Sequence, residues 1–410
     1  MSSGFRPDSG AQLAELVAWA AAEEAPLEVV GRGSKQGFGR PVQAAHGLDL
    51  SALAGITLYE PEELVLAARA GTPLAEIEAA LAAQNQHLAF EPPDLGPLLG
   101  HEADDGSIGG VLACNLSGPR RLKSGAARDH FLGVAAVSGR GEVFKSGGRV
   151  VKNVTGYDLC KLLAGSHGTL AVMTDVTVKV MPRPEKTRTV MVFGQDDRQA
   201  LVVMTQALNS PHEVSGAAHL PAAVAAGSKV SYVAEAGASG QSVTALRLEG
   251  PGPSVVFRCD ALRRDLAGFG AHEELHGRNS ALLWREIRDV APFVGHPGRP
   301  VWRLSVPPRS APDVVARIAD GGSGLYYCDW GGGLIWLALA SWAERCDVAI
   351  RSALAECGGH ATLVRAPKEV RATAPVFQPL DPAKAMITER VKDSFDPQRI
   401  LNPGRMYAGL

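Results

Sequence analysis

A glycine-rich segment, residues 104–129, constrains the fold of this chain more than any other stretch. It reads DDGSIGGVLACNLSGPRRLKSGAARD and holds five glycines with serine and asparagine between them. Glycine lets the backbone approach a bulky ligand closely and adopt φ > 0, and successive exposed N–H groups in such turns form anion-binding concavities. Four basic residues lie in its second half: Arg120, Arg121, Lys123 and Arg128. The combination suits a phosphate-bearing cofactor, although a plain surface loop can have the same composition.

The size and composition of the chain fit a globular protein with two domains. It has 410 residues, of which 46% are hydrophobic, and a formal net charge of −2. The length exceeds that of a typical single domain and is sufficient for two. The fraction of hydrophobic residues is high enough for a buried core. The charge argues against a nucleic-acid-binding protein, because such proteins usually carry a strong basic excess.

The cysteines and apolar runs indicate no metal cluster, disulfide framework or membrane segment. The six cysteines are scattered without a C-x-x-C pair, which supports neither a zinc ribbon, nor an iron–sulfur site, nor paired disulfides. A reduced, cytoplasmic compartment fits this usage. The N-terminus lacks the basic and apolar regions of a secretory signal. The most apolar run, Gly333 to Ala343, is too short to cross a bilayer.

A second glycine-rich loop, Gly31 to Gly39, follows an apolar run, Leu27–Val30, that we interpret as a short buried strand. Its spacing is close to G-x-G-x-x-G, but the third glycine comes one residue late and Pro41 leaves no helix to open from the loop. A Rossmann site is therefore excluded. A Walker loop is also excluded, because no G-K-[ST] follows. A backbone concavity beside Arg32 and Lys35 would suit a pyrophosphate; an ordinary turn remains the alternative.

Periodicity predicts the elements of an N-terminal domain. Ser9, with Gln12 three residues on, forms a capping-box pattern that opens a helix. Thr72 is expected to cap a second helix, and Asp158 a short third one. The predicted strands are Leu27–Val30, Ile56–Glu60, Leu64–Ala70, His87–Phe90, the hairpin FLGVAAV to GEVFKSG, and an alternating run from Leu170 to Val180.

The predicted fold class is α+β, with a domain boundary near residue 184. Pro182 and Pro184 stop the last predicted strand, so residues 1–184 form the first predicted domain. From 185 to 378 short β-like and helix-like runs alternate, which predicts an α+β domain with an antiparallel sheet. Residues 379–410 form a tail whose apolar residues are expected to dock on a surface.

Other chemistry-bearing patterns have simpler explanations. His272 to His276 matches the zinc-protease pattern H-E-x-x-H, which needs a helix. Nearby glycines leave room for little more than one turn, so we prefer a chance match and expect no metal site. His101, His130 and His167 are candidate acids or bases, with a structural role as the default. We assign no catalytic residue from the sequence.

Taken in series, the motifs resemble those of a known family. The series runs GRGSKQG, AGTPLAEIEAAL, FEPPDLG, GSIGGVLACNLSGPRR, GAARDHFLG, VKNVTGYDLCKLLAGSHGTLAVMTDVTVKVMPRP and FDPQRILNPGRMYAGL. It is similar to the FAD-binding subunits of bacterial glycolate oxidases, in the vanillyl-alcohol-oxidase/PCMH flavoprotein superfamily. The similarity is strong over residues 25–184 and from about residue 385, and weaker between them.

The resemblance implies a two-subdomain PCMH-type FAD-binding domain, an α+β cap domain over the isoalloxazine ring, and a tail that returns to the FAD-binding domain. The first loop would hold the FAD pyrophosphate, the glycine-rich segment the flavin side, and a later turn the adenosine half. The implied FAD-binding residues are Gly31, Arg32, Gly33, Ser34 and Lys35, then Gly106, Ser107, Gly109, Gly110 and Asn115, and finally Gly168 and Val172.

The chain departs from the family pattern in two places. Some members carry a histidine in the first loop that bonds covalently to FAD; here Ser34 and Lys35 stand there, so non-covalent FAD is expected. Members that oxidise hydroxy acids carry a metal-binding H-x-G-D-G-N-x-H stretch, whereas the comparable place here reads LYYCDWGGGLIWLAL, without histidine. Hydroxy-acid oxidation needs a base for the hydroxyl proton and a cation for the carboxylate. The chain is therefore not expected to oxidise glycolate alone.

The leading hypothesis is an FAD-binding subunit of a glycolate oxidase complex that converts a 2-hydroxy acid to the 2-oxo acid. Its partners would be a catalytic flavoprotein subunit and an iron–sulfur subunit, and its flavin would relay electrons or be structural. The complex would be cytoplasmic, with any membrane association coming through a partner. Two alternatives stay open: a stand-alone FAD-dependent hydroxy-acid or alcohol oxidoreductase, and a non-catalytic assembly subunit with a vestigial flavin site.

Overall fold

The chain forms two compact units, each assembled from separate stretches of sequence. The computed structural model describes residues 3–149, 156–319, 324–343 and 346–410. The first unit comprises Met1–Ser117, Gly125–Arg183 and Lys368–Leu410, and the second comprises Gly118–Ser124 and Pro184–Pro367. The C-terminal tail thus belongs to the same unit as the N-terminal part.

The described ranges contain eighteen strands and fifteen α-helices. The strands are β1 Ser3–Phe5, β2 Leu27–Val30, β3 His46–Asp49, β4 Ile56–Glu60, β5 Val65–Arg69, β6 Gln86–His87, β7 Phe131–Ser138, β8 Val143–Gly147, β9 Ala171–Lys179, β10 Met181–Pro182, β11 Lys186–Phe193, β12 Gly216–Leu220, β13 Val243–Gly250, β14 His272–His276, β15 Val301–Ser305, β16 Leu325–Asp329, β17 Leu334–Ala338 and β18 His360–Arg365. The helices are α1 Gly10–Ala22, α2 Leu74–Ala83, α3 Ile108–Ala113, α4 Arg121–Ser124, α5 Ala127–His130, α6 Leu159–Leu163, α7 Asp197–Leu208, α8 Ala222–Ala225, α9 Ser231–Ala238, α10 Gly252–Asp265, α11 Gly277–Arg288, α12 Ala311–Ala319, α13 Cys346–Ala355, α14 Lys368–Thr373 and α15 Pro382–Phe395.

The described residues of the first unit form three sheets. Strands β1, β3 and β2 pair in parallel in that order, β10 pairs antiparallel with β6, and a five-stranded antiparallel sheet has the order β4-β5-β9-β7-β8. The tail extends the parallel sheet, because Leu27 N donates to Ile400 O at 2.7 Å and Asn402 N donates to Leu27 O at 3.0 Å. This pairing places residues 400–402 beside the start of β2.

The core of the first unit forms around α1. The Ser9 side chain accepts from Gln12 N at 3.3 Å and starts the helix. One face of α1 is fully buried through Leu13, Val17 and Ala20, as the period of the sequence predicts. It packs with residues of β2, β3, β7, β9 and the tail: Leu27, Leu48, Val137, Val172, Ile400 and Leu401.

In the second unit, the strands that the structure describes form one antiparallel sheet of eight, in the order β14-β11-β13-β12-β16-β17-β15-β18. Helices α7 and α10 cover one face, where Val203 and Val255 join a core cluster with Val190 and Leu246 of the sheet. No helix in the described ranges combines the length and apolar character that crossing a bilayer requires.

Most predicted elements are confirmed, and the antiparallel sheet of the second region is among them. Helix α1, strands β2, β4, β5 and β9 and the β7–β8 hairpin lie where the patterns indicate. Asp158 caps α6 by accepting from Lys161 N at 3.3 Å. The sequence predicts domain limits at residues 184 and 378. In the structure the second unit runs from Pro184 to Pro367, and it also includes the short segment Gly118–Ser124.

Two local interpretations need correction. Thr72 does not cap α2; its hydroxyl donates to Arg69 O at 2.6 Å, and the residue at the helix start is Pro73, which has no capping side chain. The strand expected over His87–Phe90 is limited to Gln86–His87.

The H-E-x-x-H stretch lies on strand β14 at the edge of the sheet, not on a helix. Its central Glu274 pairs with Arg188 at 2.6 Å and with His276 at 3.1 Å. No group of three or more potential ligands with metal-site geometry occurs in the described part of the chain. The stretch therefore forms an edge strand paired through Arg188, not the helix that the zinc-protease pattern requires.

Candidate cofactor site

A cleft lies within the first unit, and its empty space is about 780 Å³ when the open solvent at its mouth is included. Four stretches that are distant in sequence supply its walls: the loop after β2, the start of α3, the turn before β9, and the tail. Ten of the twelve predicted FAD-binding residues line it, namely Gly31, Arg32, Gly33, Ser34, Lys35, Ser107, Gly109, Gly110, Gly168 and Val172.

The loop after β2 offers backbone donors to the cleft. Gly33 has φ = 83°, a left-handed conformation that favours glycine. Within the described residues, the N–H groups of positions 32–35 donate to no backbone carbonyl or side chain. Buried or half-buried N–H groups normally find a partner. Successive free donors of this kind form a concavity that binds an anion.

Two cations stand behind these donors. Lys35 is half-buried, and its Nζ lies 3.2 Å from Ser34 Oγ. Burial lowers the pKa of the Lys35 ammonium, while Cys114, Asp94 and Asp105 act in the opposite direction. The tail supplies Arg405, which is buried and donates to Lys35 O at 2.9 Å. An anion in the cleft would stabilise both charges.

The start of α3 meets this loop directly. Ser107 caps the helix by accepting from Gly110 N at 3.3 Å, and a Cβ at Gly31 would lie 2.5 Å from Ser107 Oγ. Gly109 N donates to Ala70 O at 2.8 Å. The two glycine-rich segments therefore build one wall, and Gly31 permits their close approach.

The turn before β9 is held by the tail. Asn402 accepts from Val29 N at 2.8 Å and donates to His167 O at 2.9 Å, so a single side chain joins β2 to the turn. His167 packs between the rings of Phe38 and Phe377, with centroids 5.1 and 4.9 Å away. Burial and the neighbouring Arg405 lower the pKa of His167 to about 3. The imidazole is therefore neutral at physiological pH.

Two predicted residues do not line the cleft. Gly106 lies just behind it, where a Cβ would be 3.1 Å from Lys35 Nζ. Asn115 has φ = 48° and its side chain accepts from Arg128 N at 3.0 Å, at the start of α5. Its position in the glycine-rich segment serves the local turn.

The basic run after the glycines is not part of the site, contrary to the expectation from the sequence. Arg120 forms a bidentate ion pair with Glu249, with distances of 2.9 and 2.6 Å, and Arg121 stacks on Trp330 at 4.3 Å. Both contacts lie inside the second unit. The positive charge behind the loop donors is supplied instead by Lys35 and Arg405.

Four further lining residues were not among the predicted FAD-binding residues, although His167 was a candidate acid or base. Asn402 and Arg405 come from the tail, and Cys114 and His167 face each other with Sγ and Nδ1 3.6 Å apart. The tail motif LNPGR is part of the family pattern and could have indicated the first two. Of the other histidines, His130 is buried beside Phe90, and His101 is exposed.

The donors, the two cations and the glycine positions fit the pyrophosphate of a dinucleotide cofactor, and comparisons with known proteins identify which one. A family model described as the FAD binding domain matches residues 4–147. The glycolate oxidase subunit GlcE of Escherichia coli (strain K12) is 35% identical over 98% of this chain and 99% of that protein. The glycolate oxidase subunit GlcD of Bacillus subtilis (strain 168) is 36% identical over 26% of this chain and 22% of that protein.

Solved structures agree on the fold. p-Cresol methylhydroxylase with substrate bound has a TM-score of 0.72 to this chain at 14% identity, covering 98% of this chain and 88% of that one. The 4-ethylphenol oxidase from Gulosibacter chungangensis has a TM-score of 0.70 at 15% identity, covering 99% and 89%.

The family model thus identifies an FAD-binding domain, the fold is the one that p-cresol methylhydroxylase has, and the predicted α+β, PCMH-type fold class is confirmed. Within that class, the chain belongs to the family of the glycolate oxidase subunit GlcE. This is a family of FAD-binding oxidoreductases, and FAD is its cofactor.

Proposed function

We propose that this chain is the FAD-binding subunit of a glycolate oxidase complex, in which a small 2-hydroxy acid is oxidised to the 2-oxo acid. The observation that carries the proposal is the loop at positions 32–35, whose free N–H groups face a cleft backed by Lys35 and Arg405. The 35% identity to GlcE over nearly the whole of both chains supports the same assignment.

In the proposed site, the N–H groups of positions 32–35 bind the pyrophosphate, and Lys35 and Arg405 balance its charge. Ser107, Gly109 and Gly110 leave room for the flavin side, and Gly168 and Val172 border the adenosine half. When bound, FAD accepts electrons from a substrate or partner and passes them on. The chain's own contribution is to bind and orient the cofactor and to exclude water from it.

We infer that FAD is held non-covalently. The first loop, GRGSKQGFG, contains no histidine. Among the described lining residues the thiol is that of Cys114, and burial raises its pKa, with Lys35 acting in the opposite direction. A protonated, buried thiol is a weak nucleophile. These features support a dissociable cofactor.

The proposed partners are a catalytic flavoprotein subunit and an iron–sulfur subunit in a cytoplasmic complex, with any membrane contact made through a partner. The relatives named GlcE and GlcD are each described as a glycolate oxidase subunit. The iron–sulfur partner is inferred from the motif resemblance and from the need for an electron acceptor after the flavin.

The direct test is the addition of glycolate under anaerobic conditions to the isolated chain and to the chain purified with its partners, followed by measurement of flavin absorbance and glycolate oxidation. We expect the flavin absorbance of the isolated chain to stay unchanged, and glycolate oxidation to appear only in the complex. Rapid bleaching in the isolated chain would instead identify a stand-alone oxidoreductase. A complex that keeps full activity without this subunit would contradict the proposal.

A further inference from the structure

An ion pair joins the loop after β2 to the segment that precedes α3. Arg32 donates to Asp105 Oδ1 twice, from Nε at 3.0 Å and from Nη2 at 2.7 Å. Each side chain is 33% exposed, and both residues belong to the first unit. Arg32 also lines the cleft. The pair therefore ties the two glycine-rich stretches together beside the N–H groups that face the cleft.

The Asp105 end of this pair is held by its own segment. Asp94 Oδ2 accepts from Asp104 N at 2.7 Å, directly before Asp105. Directly after it, Leu74 N donates to Gly106 O at 2.8 Å. Both neighbours of Asp105 are anchored, so its carboxylate projects from a fixed backbone.

The loop whose N–H groups face the cleft is held at both ends. Gln36 N donates to Gly33 O at 3.0 Å and closes a turn within the loop. Arg405 donates to Lys35 O at 2.9 Å and holds the end of the loop. The Arg32 side chain holds the start, through its ion pair.

A carboxylate beside an anion site works against the ligand, because like charges repel. A positioning role offsets this cost. Backbone donors bind an anion well when they are held in place before it arrives, since ordering a loop on binding lowers the affinity. Asp105 also opposes the burial that lowers the pKa of the Lys35 ammonium. Both effects would favour a bound pyrophosphate.

We propose that Asp105 is a positioning residue for the pyrophosphate loop. Through its two hydrogen bonds with Arg32, it holds the N–H groups of positions 32–35 in the arrangement that binds phosphate oxygens. The Arg32 side chain then serves the loop rather than the phosphate. The proposal rests on the FAD assignment and adds a residue that does not itself touch the cofactor.

FAD titration of the full-length protein, followed by flavin fluorescence, tests this role. If Asp105 contributed charge alone, Asp105→Asn would bind FAD more tightly, because a negative charge is removed. We expect the opposite, a loss of about threefold or more, as for a partly exposed ion pair that orders a loop. The matched control Asp104→Asn removes the same charge one residue away, from an exposed side chain. Asparagine tolerates the φ of 61° at that position, so this control should not lose affinity.

A double-mutant cycle tests whether Asp105 acts through Arg32. In an Arg32→Gln background, Asp105→Asn should cause no further loss, because the contact is already gone. The loss caused by Asp105→Asn alone should be the same at about pH 6 and about pH 8. A loss found only at the higher pH would assign the effect to deprotonation of Lys35 and overturn the positioning role.

Hydrogen exchange on the FAD-free protein measures the loop without the cofactor. The amides of Gln36 and Phe38, which donate to carbonyls of the loop, should exchange faster in Asp105→Asn than in Asp104→Asn. If Asp105→Asn does not fold, KCl at about 1 M should speed the same amides in the wild-type protein, because salt screens a partly exposed pair.

Unchanged or tighter FAD binding by Asp105→Asn would overturn the proposal. Tighter binding would show that the carboxylate competes with the pyrophosphate for Arg32. Equal exchange of the loop amides, in a wild-type protein that binds FAD normally, would overturn only the role of Asp105. A wild-type protein that binds no FAD would overturn the FAD assignment, and this proposal with it.

Discussion

At the scale of single residues, neighbouring glycines of the glycine-rich segment serve different purposes. A Cβ at Gly109 would lie 2.7 Å from Ala70 O, against backbone that cannot move easily. A Cβ at Gly110 would instead meet Ser107 Oγ at 3.2 Å and Lys35 Nζ at 3.9 Å, inside the cleft. The sequence predicts that both glycines make room for a cofactor, but only contacts in three dimensions reveal that Gly109 is also required for helix packing.

We predict that Gly109→Ala lowers the free energy of unfolding by about 1–3 kcal/mol, the usual range for overpacking a tight contact. The control is Gly47→Ala in β3, where an added Cβ meets nothing within 4 Å. Urea unfolding of both variants provides the measurement. Equal stability of the two variants would show that α3 can shift away from Ala70.

Replacing Lys35 tests how much its positive charge contributes to FAD binding in the cleft. We predict that Lys35→Met weakens FAD binding by about tenfold or more, because a charge-assisted contact to the pyrophosphate is lost. The control Lys145→Met removes an exposed lysine of β8 and should bind FAD normally. FAD titration followed by flavin fluorescence measures both. If a folded Lys35→Met protein bound FAD with unchanged affinity, the pyrophosphate would not lie beside Lys35.

The low pKa of His167 leads to the prediction that the stability of the protein depends on pH. The fold lowers its pKa from the ordinary histidine value of 6.5 to about 3, so between these values the unfolded chain binds more protons. Stability from this group is fully present above pH 6.5 and declines as the pH falls towards 3. The urea midpoint of His167→Gln should therefore fall less than that of the wild type between about pH 7 and about pH 4. Parallel curves would show that His167 does not titrate in this way.

At the scale of elements, the tail helix α15 and the residues after it hold one wall of the cleft in place. Lys392 is buried and donates to Thr169 O and Asp396 Oδ2, each at 2.7 Å, and to Leu401 O at 3.1 Å. Asp396 in turn accepts from Leu401 N at 2.9 Å. Leu401 precedes Asn402, so the buried Lys392–Asp396 pair determines the position of the Asn402 side chain, which joins β2 to the turn before β9.

We predict that Lys392→Met destabilises the protein by about 3–5 kcal/mol, because Asp396 is left as an uncompensated buried charge. FAD affinity should fall with it, since the tail loses its anchor. The control Lys384→Met lies on the same helix in an exposed pair with Asp381 and should change stability by less than about 1 kcal/mol. A wild-type melting curve for Lys392→Met would refute the role of the pair.

Local patterns predicted many of these elements because their signals are local. Ser9 caps α1, and alternation marks β9, because each depends on neighbours in the chain. The prediction that Thr72 caps α2 was wrong, because its hydroxyl bonds to the preceding turn rather than to the helix. The H-E-E-L-H stretch is compatible with strand or helix, and pairing with β11 decides between them.

At the scale of the whole molecule, the units are discontinuous in sequence. The excursion Gly118–Ser124 carries Arg120 and Arg121 into the second unit, and the tail carries Asn402 and Arg405 into the first. No periodicity encodes such exchanges, because they depend on contacts between residues far apart in the chain. Resemblance to a family indicated the class and cofactor, whereas the partners of individual arginines needed coordinates.

The central claim is that the first unit binds FAD non-covalently in the cleft beneath positions 32–35. The most direct measurement is the visible spectrum of the purified full-length chain after FAD is added and excess is removed, followed by acid precipitation. We predict about one FAD per chain, all of it released to the supernatant, as expected for a single dissociable site. No flavin bands in the folded protein, or flavin that stays in the pellet, would contradict the claim.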